Sequence, residues 1–372
     1  MNPLAKVKLG DVAREYKSTV KDAANLPNVG LEHLIPGEIE LTQWSEDSDN
    51  TFTKGFKKGQ MLFGRRRAYL KKASVAPFDG ICSGDITVIE AIPEKILPEL
   101  LPFVIQNNRL FDYAIEKSAG SLSPRVKWEH LKNYEFELPE IEQQKELVDL
   151  LWAMTRTKKA YQNLVKQSDE LVKSQFIEMF GLPDGNVHGY EIARIGNVVR
   201  DVHYGTSRKA SDDGEYSYLR MNNITYGGEL DLSDTKRISV PEKELAGCLV
   251  EKGDVLFNRT NSRDLVGKTC PFNLDEPMII AGYIIRMRMN GRVLPEYLST
   301  FLNLDSSKKM LFTMAKGAVG QANINAQEVQ SIQIIVPPME AQVSFQRFVQ
   351  QSDKSKFVVR KALETISLSY QR

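Results

Sequence analysis

Glu251–Phe272 reads EKGDVLFNRTNSRDLVGKTCPF, and an upstream stretch, Lys57–Phe78, reads KKGQMLFGRRRAYLKKASVAPF. Both run Lys-Gly, a polar residue, an apolar triplet ending in Leu-Phe, then arginine, a further basic residue and Pro-Phe. Lys-Gly before a β-prone run is a turn leading into a strand, so each stretch reads as a hairpin that carries basic side chains. A chain that builds one hairpin twice is read first for an internal repeat, because the repeat fixes the architecture.

Three more landmarks recur in the same order. VKLGDVAREYKST (Val7–Thr19) parallels ARIGNVVRDVHYGTS (Ala193–Ser207), LPELLPFVI (Leu97–Ile105) parallels LPEYLSTFL (Leu294–Leu302), and YEFELPEIEQQ (Tyr134–Gln144) parallels IQIIVPPMEAQ (Ile332–Gln342). Across the four landmarks the offset drifts only from about 186 to 198 residues, half of a 372-residue chain.

Each copy ends in a long helical pattern. After Pro139, a residue suited to the first turn of a helix, apolar residues recur at three-and-four spacing from Leu147 through Leu150, Leu151, Leu164, Leu171 and Phe176 to Met179. Gly181, Leu182 and Pro183 then stop it. The second pattern starts at Pro337 and Pro338 and runs through Val343, Phe345, Phe348, Val359 and Ile366. Such helices are roughly 50 to 60 Å long at 1.5 Å per residue. Ser168, Gln175, Ser352 and Lys356 interrupt the stripes, so neither helix is expected to stand alone. Packing them antiparallel gives an approximate internal two-fold axis.

The expected fold is therefore α/β: mixed α/β domains at 1–138 and 183–336, separated by two long antiparallel, coiled-coil-like helices at 139–182 and 337–372. Strand candidates are QMLFGRR, ICSGDITVIEA, YSYLRMN, DVLFNRT, MIIAGYIIRMRM, NYEFEL and SIQIIV, rich in β-branched and aromatic residues. Shorter helices fit LPELLPFVIQNNRLFDYAIEKS and LPEYLSTFLNLDSSKKMLFTMA.

Composition bounds the class. A 42% hydrophobic fraction supports ordinary buried cores. MNPLAKVKLGD has no apolar signal-peptide core, and no run approaches the roughly 18 to 20 apolar residues of a membrane span, so a cytoplasmic location without a membrane partner is expected. Cys82, Cys248 and Cys270 are far apart with no C-x-x-C pair, which argues for reduced core thiols and against a zinc site. The net charge of +1 says little, but Lys54–Lys72 holds eight Lys or Arg residues and no acid.

The order IARIGNVV…GTSR…YSYLRMNNI…KGDVLFNR…GKT…GAVGQANI…IQIIVPPMEAQ resembles the repeat of the specificity subunit of Type I restriction-modification systems. KGDVLF at Lys252–Phe257 and IIVPPMEAQ, similar to the family's Pro-Pro-x-x-x-Gln helix start, carry it most closely. The resemblance covers essentially the whole chain, in duplicate. It implies a non-catalytic reader of double-stranded DNA with two target-recognition domains spaced by the long helices. Two copies of a separate adenine-N6 methyltransferase (modification) subunit would dock along the helical region, and motor-nuclease (restriction) subunits would join them. No cofactor is implied for this chain; S-adenosylmethionine, ATP and magnesium would belong to the partners. The first copy departs from the pattern, with LPEIEQQ for VPPMEAQ and only LPNVGLEHLIPGEIEL (Leu26–Leu41) where the second has SYLRMNNI.

Candidate DNA contacts follow from the residue types. Duplex DNA carries about one charge per 1.7 Å of axis, so loop cations attract it without regard to sequence, and Arg also grips guanine bidentately. Arg65, Arg66, Arg67, Lys71 and Lys72 fit that role in the first copy; Asn258, Arg259, Asn261, Arg263 and Lys268 mix charge with amides in the second. The alternative is a solvated loop between strands. In Tyr204–Ile224, Thr206, Ser207, Arg208, Lys209, Arg220, Asn222 and Asn223 can bond phosphates or bases, while Asp212 and Asp213 suit an ordinary surface turn. SAGSLSPRVKWEHL and AKGAVGQANINAQEV each put a small-residue loop before a helix start near Lys127 or Asn325. There Ser121, Ser123 and Arg125, or Gln321 and Asn323, could meet a phosphate or base, or simply cap a turn. Arg286 and Arg288 read as the solvent side of a sheet. The helix stripes read as core, with Lys158, Lys159, Lys166, Glu170 and Lys173 on the faces expected to meet the methyltransferase.

Catalytic signatures are missing: there is no G-x-x-x-x-G-K-[ST] loop, no Asn/Asp-Pro-Pro-aromatic motif, and His33, His130, His188 and His203 are scattered. Two rivals stay open, an unrecognised nucleic-acid-modifying enzyme and a protein-binding scaffold built on the helical pair.

Overall fold

The computed structural model describes residues 4–21, 26–47, 50–120, 122–315 and 321–369. The chain divides into two compact units, 1–160 with 363–372, and 161–362. The division falls inside the helix Ile141–Phe180 and not at either of its ends.

In the first unit Ala5–Lys8 pairs antiparallel with Glu135–Leu138, Val7 opposite Phe136, so the first and last landmarks of the copy are neighbours. A four-stranded sheet has the order Ala13–Glu15, Ile86–Ala91, Met61–Gly64, Ala73–Val75; a three-stranded sheet runs Asn28–Val29, Gly80–Cys82, Lys54–Phe56. Every residue of Met61–Gly64 is buried, which is why the run shows no polar alternation. The helices Leu101–Ile105 and Asn108–Glu116 pack on the larger sheet, with the Phe63 and Phe111 rings stacked at 5.6 Å.

The second unit is assembled by the same rules. Glu191–Arg194 pairs antiparallel with Gln333–Val336, Ala193 opposite Ile334. One sheet has the order Val199–Tyr204, Ile284–Met289, Asp254–Asn258, Thr269–Pro271, and another runs Lys236–Ile238, Tyr216–Leu219, Met278–Ile280, Leu249–Val250. Pro295–Asn303 and Asp305–Met314 supply the shorter helices.

The two Lys-Gly turns show why the opening motif repeats. Gly59 and Gly253 sit at φ +86° and +94°, where a side chain is strained. The polar residue that follows staples the turn: Lys57 N–H donates to Gln60 Oε1 at 2.8 Å, and Glu251 N–H to Asp254 Oδ2 at 2.9 Å.

Two expectations change. ICSGDITVIEA and MIIAGYIIRMRM each form two strands in different sheets, broken at the Ser-Gly and Ala-Gly steps. Arg286 is 1% exposed, not on a solvent face; it donates to Ala246 O, Leu249 O and, at 2.9 Å, Asp201 Oδ1. Arg288, 17% exposed, pairs with Asp254 at 3.0 Å. These arginines are thus drawn inward by carboxylates on neighbouring strands.

The long helices are Ile141–Phe180 and Met339–Ser369. Within the second unit Phe345 meets Phe176 and Phe180 at 5.4 and 5.5 Å, and Lys356 meets Asp169 at 2.8 Å. One helix rises in number as the other falls, so these segments run antiparallel. The apolar stripe is covered only in part: Leu150, Leu164 and Leu171 are 57%, 45% and 55% exposed, because a two-helix seam buries a narrow strip. Among the described residues no helix is long and apolar enough to cross a membrane. The three cysteines are free and buried, and burial pushes the Cys82 thiol up to about 12.

Candidate nucleic-acid interface

In the first unit Arg65–Lys72 leaves a buried strand, turns through Ala68–Leu70 and returns at Ala73. The loop that ends at Arg125 lies directly beside it. Val126 N–H donates to Arg65 O at 3.0 Å, Arg67 N–H to Pro124 O at 2.8 Å, and Arg66 and Arg125 form a β-bridge. Arg66 Nε donates to Ser123 Oγ at 3.1 Å, while Arg66 and Arg125 converge on Asp85 at 3.4 and 2.7 Å. Hydrogen bonding from Arg125, with support from Arg66, holds the Asp85 carboxyl below its ordinary value. Sequence reasoning missed Asp85; its only signal was the Ser-Gly-Asp turn between two strands. Arg67 and Lys71 adopt left-handed φ of 53° and 50°, uncommon without glycine. Between them Tyr69 and Leu70 are 53% and 40% exposed. Lys71 Nζ donates to Asn108 Oδ1 at 2.8 Å. Ser121 lies outside the described residues.

The second unit repeats the construction with different surface chemistry. Thr260–Asn261 pairs antiparallel with Ala322–Asn323, and Ile324 N–H donates to Arg259 O at 2.9 Å. The pairing of the basic hairpin loop with the small-residue loop is therefore common to both units. Arg259 stacks on the Tyr204 ring at 4.7 Å, and Arg263 on Phe312 at 4.4 Å; each aromatic orients a guanidinium. At matching positions, Arg65 Nε and Arg259 Nε are buried without a hydrogen-bond partner. Arg208 forms a fork on Glu244 at 2.9 and 2.7 Å, which holds that carboxyl below its ordinary value. Arg220 Nη2 donates to Asp234 Oδ2 at 2.8 Å, with Asn222 at 3.5 Å from the same oxygen. Ser207, Lys209, Gln321 and Asn323 are exposed.

The helix start at Asn325 behaves as a cap, whereas at Trp128–Leu131 the Lys127 side chain makes no cap bond. Ala326–Ser331 is six residues long; Ala326 N–H donates to Tyr204 Oη at 2.9 Å and Glu328 N–H to Asn325 Oδ1 at 2.9 Å. At that start the Ala326 and Glu328 N–H groups are thus bonded within the protein.

Five of the expected contacts are structural in this conformation. Asn258 is fully buried, donating to Thr260 O and Tyr283 O at 3.1 and 3.2 Å. Thr206 is 8% exposed and its Oγ1 accepts from Arg208 N–H at 3.2 Å. Asn223, 1% exposed, donates to Asp231 O and Asp234 O and accepts from Arg220 N–H at 2.8 Å. Lys268 Nζ donates to Met221 O at 2.7 Å, and Lys72 Nζ to Leu31 O at 2.6 Å. Each lysine ties its hairpin to the 3-10 turn behind it, Met221–Asn223 or Leu31–His33. Gly30 N–H donates to His33 Nδ1 as Arg220 N–H does to Asn223 Oδ1. LEH in the first copy therefore answers MNN in the second, giving a register to a segment whose sequences differ.

Among the described residues no cluster of three or more His, Cys, Asp or Glu suits a metal ion. What both units present is a pair of bonded loops with arginines held by carboxylates or rings.

Comparison with known proteins follows the same duplication. The family model for the Type I restriction modification DNA specificity domain matches residues 2–167 and 189–365. The chain is 26% identical over 160 residues to the Type I restriction enzyme EcoKI specificity subunit of Escherichia coli K12, covering 42% of this chain and 34% of that one. It is 22% identical over 182 residues to the putative type I restriction enzyme MjaX specificity subunit of Methanocaldococcus jannaschii, covering 48% and 43%. The matched segments thus span less than half of these relatives' own lengths. Among solved structures, the Type I restriction-modification S subunit from M. genitalium superposes with a TM-score of 0.56 at 11% identity, covering 100% of this chain and 95% of that one. A chain from a structure of type I R-M complex assembly and conformational transition gives 0.56 at 20% identity, covering 100% and 96%. With the family model matched twice over nearly the whole sequence, the chain belongs to the Type I restriction modification DNA specificity family.

Proposed function

We propose that the chain is a non-catalytic, cytoplasmic reader of a bipartite, asymmetric DNA target that brings adenine methyltransferase and restriction subunits to it. One observation carries this reading. The same two-loop platform is built twice, by Arg66–Arg125 and by Thr260–Asn323 pairing, while the side chains it displays differ. A common scaffold with unlike surfaces is what two unlike half-sites require.

The proposed domains are 1–138 and 183–336, each reading one half-site, with 139–182 and 337–372 as spacers. Exposed Arg67, Ser207, Lys209, Asn222, Arg263, Gln321 and Asn323, with the partly exposed Lys71, are the proposed first contacts. Arg66, Arg125, Arg208, Arg220 and Arg259 join them by exchanging a carboxylate or ring for a phosphate or guanine edge, and Arg65, whose Nε has no partner within the protein, joins them directly. Ser123 and Asn261 orient the loops; Lys72, Thr206, Asn223, Asn258 and Lys268 hold the platform from inside. Helices roughly 50 to 60 Å long would set the half-sites more than one turn of about 34 Å apart. Two methyltransferase subunits would dock along the exposed helix faces and carry the cofactors.

The test is selection from random duplex DNA by this chain co-purified with its methyltransferase subunit. Two short enriched blocks at one fixed separation support the reading. Stable complexes without enriched sequence overturn it in favour of a protein scaffold, and DNA modification by the purified chain alone would make it an enzyme.

A further inference from the structure

Lys356 in the second long helix is 6% exposed and meets three carboxylates: Asp169 on the first long helix at 2.8 Å, Asp353 one turn back at 2.9 Å, and Glu229 at 3.0 Å. Burial opposes an ammonium, and the three carboxylates outweigh it, keeping Lys356 protonated. Glu229 is not a helix residue. It lies in the turn that follows Met221–Asn223, and its two oxygens are held by two cations of one helix, Oε1 by Lys356 and Oε2 by Arg360 at 2.6 Å. Burial tends to raise the Glu229 carboxyl, but Arg360 and Lys356 reverse this and hold it below its ordinary value.

From Glu229 the bonds continue to the proposed DNA contacts. Its N–H donates to Thr225 Oγ1 at 3.0 Å, and Thr225 N–H returns to Glu229 O at 2.9 Å. Asp231 N–H donates to Asn223 O at 2.8 Å, and Asn223 in turn fixes Arg220 N–H. The Arg220 and Asn222 side chains end on Asp234, whose carbonyl Asn223 also holds. Beside the clamp, Asp169, Gly227, Glu229, Asp231 and Arg360 line a cleft of ≈ 440 Å³, so the turn has room to shift once released. In the first unit the analogous tie, Lys159 to Glu40, spans 3.5 Å with side chains 54% and 52% exposed, a pair too solvated to fix a turn.

The geometry points to Glu229, clamped by Lys356 and Arg360, as the positioning residue that sets the pose of Arg220 and Asn222 and hence base choice at the half-site read by the second unit. This rests on the DNA-reading role proposed above. Because the described residues of the first unit offer an exposed pair at that place, base choice at the other half-site is independent of the clamp.

The experiment uses the full chain with its methyltransferase subunit and compares binding to the cognate duplex with duplexes altered in one half-site at a time. Glu229→Ala is expected to lower the cognate-to-mismatch ratio at the second unit's half-site about tenfold, within the usual worth of one base pair. The ratio at the other half-site stays within about twofold, and complex yield is unchanged. Glu229→Gln, which keeps the reach without the charge, falls between. Asp169→Asn, which cuts only the helix-to-helix arm, leaves both ratios as they were. An unchanged ratio in Glu229→Ala, or equal loss at both half-sites, overturns the inference. Should Glu229→Ala fail to fold, Glu229→Gln decides on the same ratios. If the unaltered chain discriminates at neither half-site, the DNA-reading role fails, a result distinct from failure of the clamp.

Discussion

Gln144 and Gln342 perform one task in the two units: Gln144 Oε1 accepts from Leu97 N–H at 2.9 Å as Gln342 Oε1 accepts from Leu294 N–H at 2.8 Å. Each also donates backward to the proline at its helix start, Pro139 O or Pro337 O, at 2.9 Å. These are the Gln residues of the last landmark, and they are 1% and 0% exposed. The motif is a buried clamp that fixes where the long helix leaves its domain.

Replacing either glutamine by Ala leaves a part-buried N–H and a carbonyl at the helix start without this partner. The expected cost is about 2 to 6 kcal/mol in each case, from about one to three kcal/mol per orphaned group. Gln342→Ala should cost more, because its Nε2 also serves Arg292 O at 3.0 Å. Denaturant unfolding of the two variants measures both numbers, and equal midpoints to the parent would refute the clamp.

Two kinds of basic residue in the hairpin loops should separate by salt dependence. Arg67→Ala with Lys71→Ala removes proposed phosphate-binding cations, so the slope of log affinity against log salt should fall by about one for each cation removed. Lys72→Met and Lys268→Met remove the bonds to Leu31 O and Met221 O and should instead lower stability with the slope nearly unchanged. DNA titrations at several salt concentrations, beside thermal melts, distinguish the two outcomes.

The inward lysines also show where the sequence stops being readable. The duplicated landmarks are pairing partners, Val7 with Phe136 and Ala193 with Ile334, and patterning is enough to find them. Whether a loop lysine turns outward is decided by a carbonyl across space, Leu31 O or Met221 O, and no local spacing encodes that. Asn223 and Asn258 look like base-reading amides for the same reason, yet both close buried turns. Asp85, Tyr204, Phe312 and Glu229 escape a reading by motif because each acts on an arginine or lysine distant in sequence. Arg286 departs from expectation because strand alternation cannot foresee Asp201 on the neighbouring strand.

Lys308 gives a pH-dependent test. Burial, with Lys173 and Lys268 nearby, lowers its ammonium to about 7, while Nζ donates to Gly267 O at 2.8 Å. In the unfolded chain the group binds its proton up to about pH 10.4. Between pH 7 and 10 the unfolded state therefore holds more proton, so this residue makes stability rise with pH; below pH 7 the penalty is constant and largest. Lys308→Met should be more stable than the parent at pH 7 by on the order of 3 kcal/mol, less the lost bond to Gly267. That advantage should shrink toward pH 10. Paired melts across this range check the sign, and an advantage that grows with pH would refute the assignment.

Asp85 tests how the first platform discriminates. Its carboxylate holds Arg66 and Arg125 at the junction of the two loops, so all three side chains meet there. A guanidinium already oriented by a carboxylate loses little freedom on binding, and one released from it gains charge reach but not direction. Asp85→Asn should therefore bind random duplex more tightly, with a steeper salt dependence, while the cognate-to-mismatch ratio at the first unit's half-site falls. Equal tightening on cognate and mismatched duplexes, with that ratio preserved, would mean that Asp85 serves the fold and that Arg66 and Arg125 take no part in reading.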